Sequence, residues 1–352
     1  MLPVWYALPA PNDKVKKHTE HPDCLLHQAE HRGIMLQQLR ELVHETCTVD
    51  TMTWYDFVKY HVKPATDQEP TKSYVELKAP KGTRAQTPKW FISFWFGMPV
   101  KDSLACLEEH ARVRQLSAED AVYWISVFAF PQQDVGQVAP DGMDSDFIKT
   151  MRECDGVLVL IDRDAAIWTR MWCAFEQATV VSDKVGKKLL LDFATVHRGK
   201  AQLLTQGLAY KTEARQMKAA RERGFPLELM EHGYTIEITK AEATYEEDKR
   251  HILNSIAGRE SYPAGIASND SAPDLPSPEF DRVNNALRSM LGEHAALKSE
   301  EAGKLQQALK VATAGKTREG ARFRRRDGVR KRHGRSRFRD VSQSPLIRKC
   351  SM

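Results

Sequence analysis

The chain lacks the patterns that most directly announce a chemistry. None of its six cysteines is spaced as CxxC, and no cysteine–histidine group has zinc-site spacing. That excludes a zinc-ribbon or dithiol redox motif and favours a reducing compartment. Neither GxGxxG nor GxxxxGK[ST] occurs, so a dinucleotide fingerprint and a P-loop are both excluded. No apolar run approaches the roughly 18 residues a membrane span needs. The opening "MLPVWYALPAP" has no early positive charge and too many prolines for a secretory signal. The expectation is a soluble protein of the cytoplasm or nucleus, without integral membrane association and without a metal or resident cofactor.

What is present is uneven. The net charge of +5 over 352 residues conceals a segment, residues 316–352, with fourteen Lys or Arg against three acids. The rest of the chain is mildly acidic. An apolar content of 41% is enough for a sizeable core.

Rhythm along the chain divides it into segments. Residues 1–24 show little periodicity. Residues 25–80 read as a helical pre-domain. It holds "LLHQAEHRGIMLQQLRELVHETC" and a short helix "WYDFVKYHVKPA" ended near Pro64. Residues 86–258 alternate strand and helix patterns. The strands are "KWFISFWFG", "AVYWISVFAF", "GVLVLI", "KKLLLDF" and "YTIEI". Between the last two, "QLLTQGLAYKTEARQMKAARERG" reads as a helix or an interrupted pair of helices. Such alternation argues for an α/β unit with a mainly parallel sheet and helices on both faces. "ATYEEDKRHILNSIAG" carries a capping-box pattern at Thr244 and Glu247, with Gly258 placed to end the helix. Residues 259–278 are a Pro/Ser/Asp-rich linker, residues 279–311 are helical, and residues 312–352 form a basic tail expected to be disordered.

The default ligand cleft of an open α/β sheet lies beyond the carboxyl ends of its strands. Three segments leave such ends: Phe96-Gly97-Met98, "FPQQDVGQVAPDG" and "DRDAAIWTR". The last leads into "IWTRMWCAFEQATVV", expected on one helix. Trp168 and Trp172 would then share a face with Phe175 beyond them. Glu176 is four residues past Trp172. Set against apolar rings its carboxyl would have a raised pKa and could act as acid or base. Arg163 or Arg170 could instead pair with it and hold it ionised, or it could simply be a charge at the edge of a packed aromatic face. Cys173, three residues earlier, suits an inert buried thiol better than a nucleophile.

"FISFWFG", "GVLVLI" and "WTRMWCAFEQA" together resemble the Toll/interleukin-1 receptor (TIR) domain family, most closely its divergent members in algae and other protists. "WCAFE" is the most specific piece, and the likeness runs from about Lys89 to Gly258. The resemblance implies a flavodoxin-like fold with a five-stranded parallel sheet, a helical N-terminal extension and a basic C-terminal tail. It implies a signalling or scaffold module assembling through homotypic or heterotypic protein–protein contacts. The alternative is a hydrolase that cleaves NAD, as substrate, to nicotinamide and ADP-ribose products. Glu176 is then the catalytic residue, with Phe96, Gly97, Asp134, Trp172 and Cys173 at the NAD site. The chain departs from the protist pattern at Phe94 and Gln133, where those relatives carry histidine.

Three further features carry charge or metal-ligating side chains. His18, His21, His27 and His31 form a loose group near Cys24 that suits exposed helix positions better than a metal site. Glu242, Glu246, Glu247 and Asp248 suit a solvated helix start. The tail "RFRRRDGVRKRHGRSRFR" has the charge and guanidinium geometry to meet nucleic-acid phosphates, with Phe323 and Phe338 available to stack, or to direct nuclear import.

Overall fold

The computed structural model describes residues 24–133, 145–182, 185–258 and 277–302, with side chains except at 290 and 292–302. Asp134, His18, His21, most of the "FPQQDVGQVAPDG" loop, the 259–276 part of the linker and the 312–352 tail lie outside the described residues.

In chain order the first elements are β1 (Ile34–Met35), α1 (Leu36–Thr46), α2 (Trp54–Phe57), α3 (Lys63–Thr66) and α4 (Tyr74–Lys78). A π-helical turn, Val58–Val62, joins α2 to α3. The helix expected to stop near Pro64 therefore runs on to Thr66. Pro64 has no N–H to give back one turn, and the Lys63 N–H reaches instead to the Val58 carbonyl, so the widened turn absorbs the proline.

The sheet begins with β2 (Trp90–Ser93), followed by α5 (Val100–Arg114), β3 (Val122–Trp124), α6 (Ser126–Ala129), α7 (Asp146–Glu153) and β4 (Gly156–Ile161). Then come α8 (Met171–Val181), β5 (Leu190–His197), β6 (Lys200–Leu204), α9 (Arg215–Glu222), α10 (Leu227–Tyr234), α11 (Glu246–Ile256) and α12 (Pro278–Ala302). "GVLVLI" is apolar throughout because both faces of β4 are covered. Val157, Val159 and Ile161 enter one core with α7, α8, α10, α11 and α12, while Leu158 and Leu160 enter the other with α1, α2 and α5.

Six strands form one sheet in the order β1-β3-β2-β4-β5-β6. The four inner strands are parallel, but β1 runs antiparallel to β3 and β6 antiparallel to β5. This corrects the expected five-stranded, all-parallel flavodoxin-like sheet. The β5–β6 edge arises from a two-residue hairpin. Arg198 and Gly199 both have positive φ, 50° and 72°, and His197 pairs directly with Lys200. That is the backbone twist a tight hairpin requires. The "QLL" read as the start of a helix is the end of this strand. "YTIEI" forms no strand: Tyr234 closes α10, and the Ile238 N–H donates to Asn284 Oδ1 of α12 at 3.0 Å. Side chains cover the carboxyl end of β6 and the residue past it, with Arg221 donating to the Leu203 carbonyl at 3.3 Å and Lys218 to that of Thr205 at 2.5 Å.

The TIR resemblance is overturned with the topology. The signalling or scaffold role and the alternative NAD hydrolysis came from that resemblance and lose their basis here.

Near the amino ends of the parallel strands, Asp192 on β5 is fully buried and accepts both Arg114 Nε at 2.8 Å and Nη2 at 2.6 Å. His110 Nε2 lies 3.4 Å from its second oxygen. Burial alone would raise the Asp192 carboxyl, but His110 and Arg114 overcome it and hold the pKa below the usual carboxylate range. Among the described residues, no helix is long and apolar enough to cross a membrane.

Candidate functional site

Strand β2 has β3 on one side and β4 on the other, so the chain's crossovers part at the carboxyl ends of β2 and β4. That crevice is the usual ligand position in open α/β sheets. Ser93 ends β2 and Asp162 follows β4. Asp162 is buried, and its two oxygens accept the backbone N–H groups of Asp164 and Ile167, each at 3.3 Å. Burial raises its carboxyl, and those backbone donors partly offset the rise.

The segment expected as one helix is two pieces. A 3₁₀ turn, Ala166–Thr169, is separated from α8 by Arg170, whose backbone is extended at φ −103° and ψ 125°. Arg170 forms a parallel bridge with Glu242. The Glu242 N–H reaches the Thr169 carbonyl at 2.7 Å, and the Met171 N–H reaches the Glu242 carbonyl at 2.9 Å. Trp168 and Trp172 therefore do not share a helical face.

Helix α8 is almost wholly buried, and Glu176 with it, at 8% exposure. Its Oε2 completes no hydrogen bond among the described residues, nor does the Oγ of fully buried Ser93 beside it. Neither Arg163 nor Arg170 pairs with the carboxyl. Desolvation pushes the Glu176 pKa up to about 8, with the Ser93 hydroxyl pulling the other way. The group is thus a neutral carboxylic acid through most of the physiological range, able both to donate and to accept a hydrogen bond. Cys173, one turn earlier, points its Sγ at the Phe94 carbonyl, 3.5 Å away. Burial, and then the Glu176 charge, raise its thiol well above the ordinary value, so it carries no thiolate at neutral pH.

The remaining expected site residues are dispersed. Trp172 stacks on Phe147, with centroids 5.5 Å apart, and its indole N–H acts on the half-buried Asp248 carboxyl of α11. Phe96 belongs to the opposite core from Trp172 and Cys173, stacked on Phe94 at 5.3 Å and against Tyr55 at 5.6 Å. Gly97 is needed because the Trp95 ring folds over it; a Cβ there would sit 2.3 Å from that ring. The two positions where histidine was expected do structural work. Phe94 packs on Trp54 at 5.2 Å, and Gln133 Nε2 donates to the Lys63 carbonyl at 2.6 Å.

The structure thus brings Glu176, Cys173 and Ser93 together. Ser93 was not singled out in the sequence, although it is the lone hydroxyl in an otherwise apolar strand. No group of three or more His, Cys, Asp or Glu able to hold a metal occurs among the described residues. His27 and His31 have other partners, the Cys24 carbonyl at 2.8 Å and the Thr87 hydroxyl at 3.4 Å. No family model, no curated protein and no solved structure matches the chain.

Proposed function

We propose that the chain is a small-molecule-binding α/β protein whose ligand is met beyond the carboxyl ends of β2 and β4 by Glu176 and Ser93. The observation that carries this reading is the buried Glu176 carboxyl, whose Oε2 has no cation and no backbone donor and only the Ser93 hydroxyl beside it to offset its desolvation. Buried polar groups normally have full sets of partners, and a carboxyl with one hydroxyl for a neighbour leaves hydrogen-bonding capacity for a ligand group or water. A neutral carboxylic acid offers one donor and one acceptor side by side, which matches the N–H and C=O of an amide or lactam. Cys173 lies beside Glu176, from the preceding turn of α8.

The reading is tested by calorimetry of the full chain with 2-pyridone and uracil, each carrying that paired donor and acceptor. Saturable binding that Glu176→Leu abolishes supports it. No binding, or binding equal in the two proteins, overturns it.

A second feature has its own support. The charge of residues 316–352 suits contact with a polyanion such as RNA or DNA, in the cytoplasm or the nucleus. Removing that segment should weaken binding to a random RNA and flatten its salt dependence; unchanged affinity would dismiss the contact.

A further inference from the structure

A cavity of about 460 Å³ opens at the amino end of α7 against the Ala29–His31 turn. Ser93, Cys173 and Glu176 do not line it, and its volume falls in the range of roughly 300–1,000 Å³ usual for small-molecule sites. Its walls carry both signs of charge: Arg32 and Lys149 against Glu30 and Asp146, with the buried Phe130 ring as an apolar side.

Arg32 is the fixed part. Its guanidinium is held by the carbonyls of Leu26 at 2.6 Å, His27 at 2.7 Å and Ala129 at 2.9 Å, and by Glu76 at 3.1 Å. Burial lowers its pKa, while Glu76, Asp146 and Glu30 pull it back up, so both cavity acids lie within its field. Lys149 is the adjustable part. It meets Asp146 only at 3.8 Å, and both side chains are substantially exposed. Such a pair is weak and readily redirected to a ligand.

A simple anion or cation entering this cavity would meet repulsion along with attraction. A molecule carrying both charges a few bonds apart collects both attractions. We propose that the cavity binds a free α-amino acid, with its carboxylate received by Lys149, its ammonium by Glu30 and its side chain against Phe130.

The test is calorimetry of the full chain with L-leucine, N-acetyl-L-leucine and L-leucinamide. The free amino acid should bind saturably, and each half-charged analogue at least about tenfold more weakly. Lys149→Met should weaken L-leucine and leave L-leucinamide unchanged. Glu30→Gln should weaken L-leucine and leave N-acetyl-L-leucine unchanged. Both side chains are partly exposed, so unchanged melting temperatures would show the variants folded, and Glu176→Gln should retain L-leucine binding. The proposal is overturned by absence of heat with L-leucine, by an analogue binding as tightly as the free amino acid, or by full L-leucine affinity in Lys149→Met.

Discussion

Replacing Glu176 by glutamine should change how stability depends on pH in one definite direction. In the unfolded chain its carboxyl titrates near 4.5; in the folded chain burial raises it to about 8. Between those values the folded state keeps a proton that the unfolded state has released. Stability therefore falls as pH rises through this window, by roughly 1.4 kcal/mol per pH unit. Below about pH 4.5 both states are protonated, and above about pH 8 both are ionised, so the effect is flat outside it. Glutamine keeps the shape and cannot ionise. Asp162, His110 and Asp192 contribute the same slopes to both proteins and cancel in the difference. From pH 5 to pH 8 the variant should gain about 4 kcal/mol on the wild type, read from urea denaturation at four pH values. Parallel curves, differing by less than about 1 kcal/mol across that range, would show that the carboxyl is solvated or paired and would refute the reasoning.

Further outcomes follow from other parts of the molecule. Asp192→Ala strands the buried Arg114 cation and should cost about 3–5 kcal/mol in the same assay. Leu158→Ala should cost about 2–5 kcal/mol, because neither face of β4 can collapse far into the cavity. Gly199→Val, at φ 72° in the hairpin, should destabilise by about 1–2 kcal/mol, whereas Gly199→Asn should be close to neutral. A thiol reagent at pH 8 should leave Cys173 unlabelled in the native protein and modify it on unfolding, read by peptide mapping; native labelling would contradict its burial.

The parts legible in the sequence were those governed by local pattern. "GVLVLI" is β4 residue for residue, because a strand covered on both faces must be apolar without interruption. Gly258, placed to end a helix, has φ 76° just after α11. What misled was pattern whose cause lies far along the chain. The alternation of "YTIEI" is real, since Ile236 and Ile238 are both buried, yet their backbone groups are taken by Arg288 and Asn284 of α12 rather than by a neighbouring strand. The break at Arg170 is made by Glu242, which no local window contains. The hairpin before β6 uses Arg-Gly, without the Asn-Gly or Asp-Gly that advertises such a turn. At the site, residue spacing left Glu176 open between a reactive carboxyl and an edge charge. Its burial depends on α8 being covered by α11 and α12 as well as by the sheet, and Ser93 becomes its neighbour only through the β2–β4 pairing.

The two antiparallel margins also bear on how copies of this chain can meet. A bare strand edge is a template onto which another molecule can add its own strand. Here one margin offers only the two residues of β1, too short to guide such an addition. At the other, the Leu203 carbonyl of β6 and the Thr205 carbonyl just past it are already taken by a guanidinium and an ammonium from the same chain. Among the described residues, growth of the sheet from molecule to molecule is disfavoured at both ends, which leaves helical and loop surfaces as the better candidates for self-association.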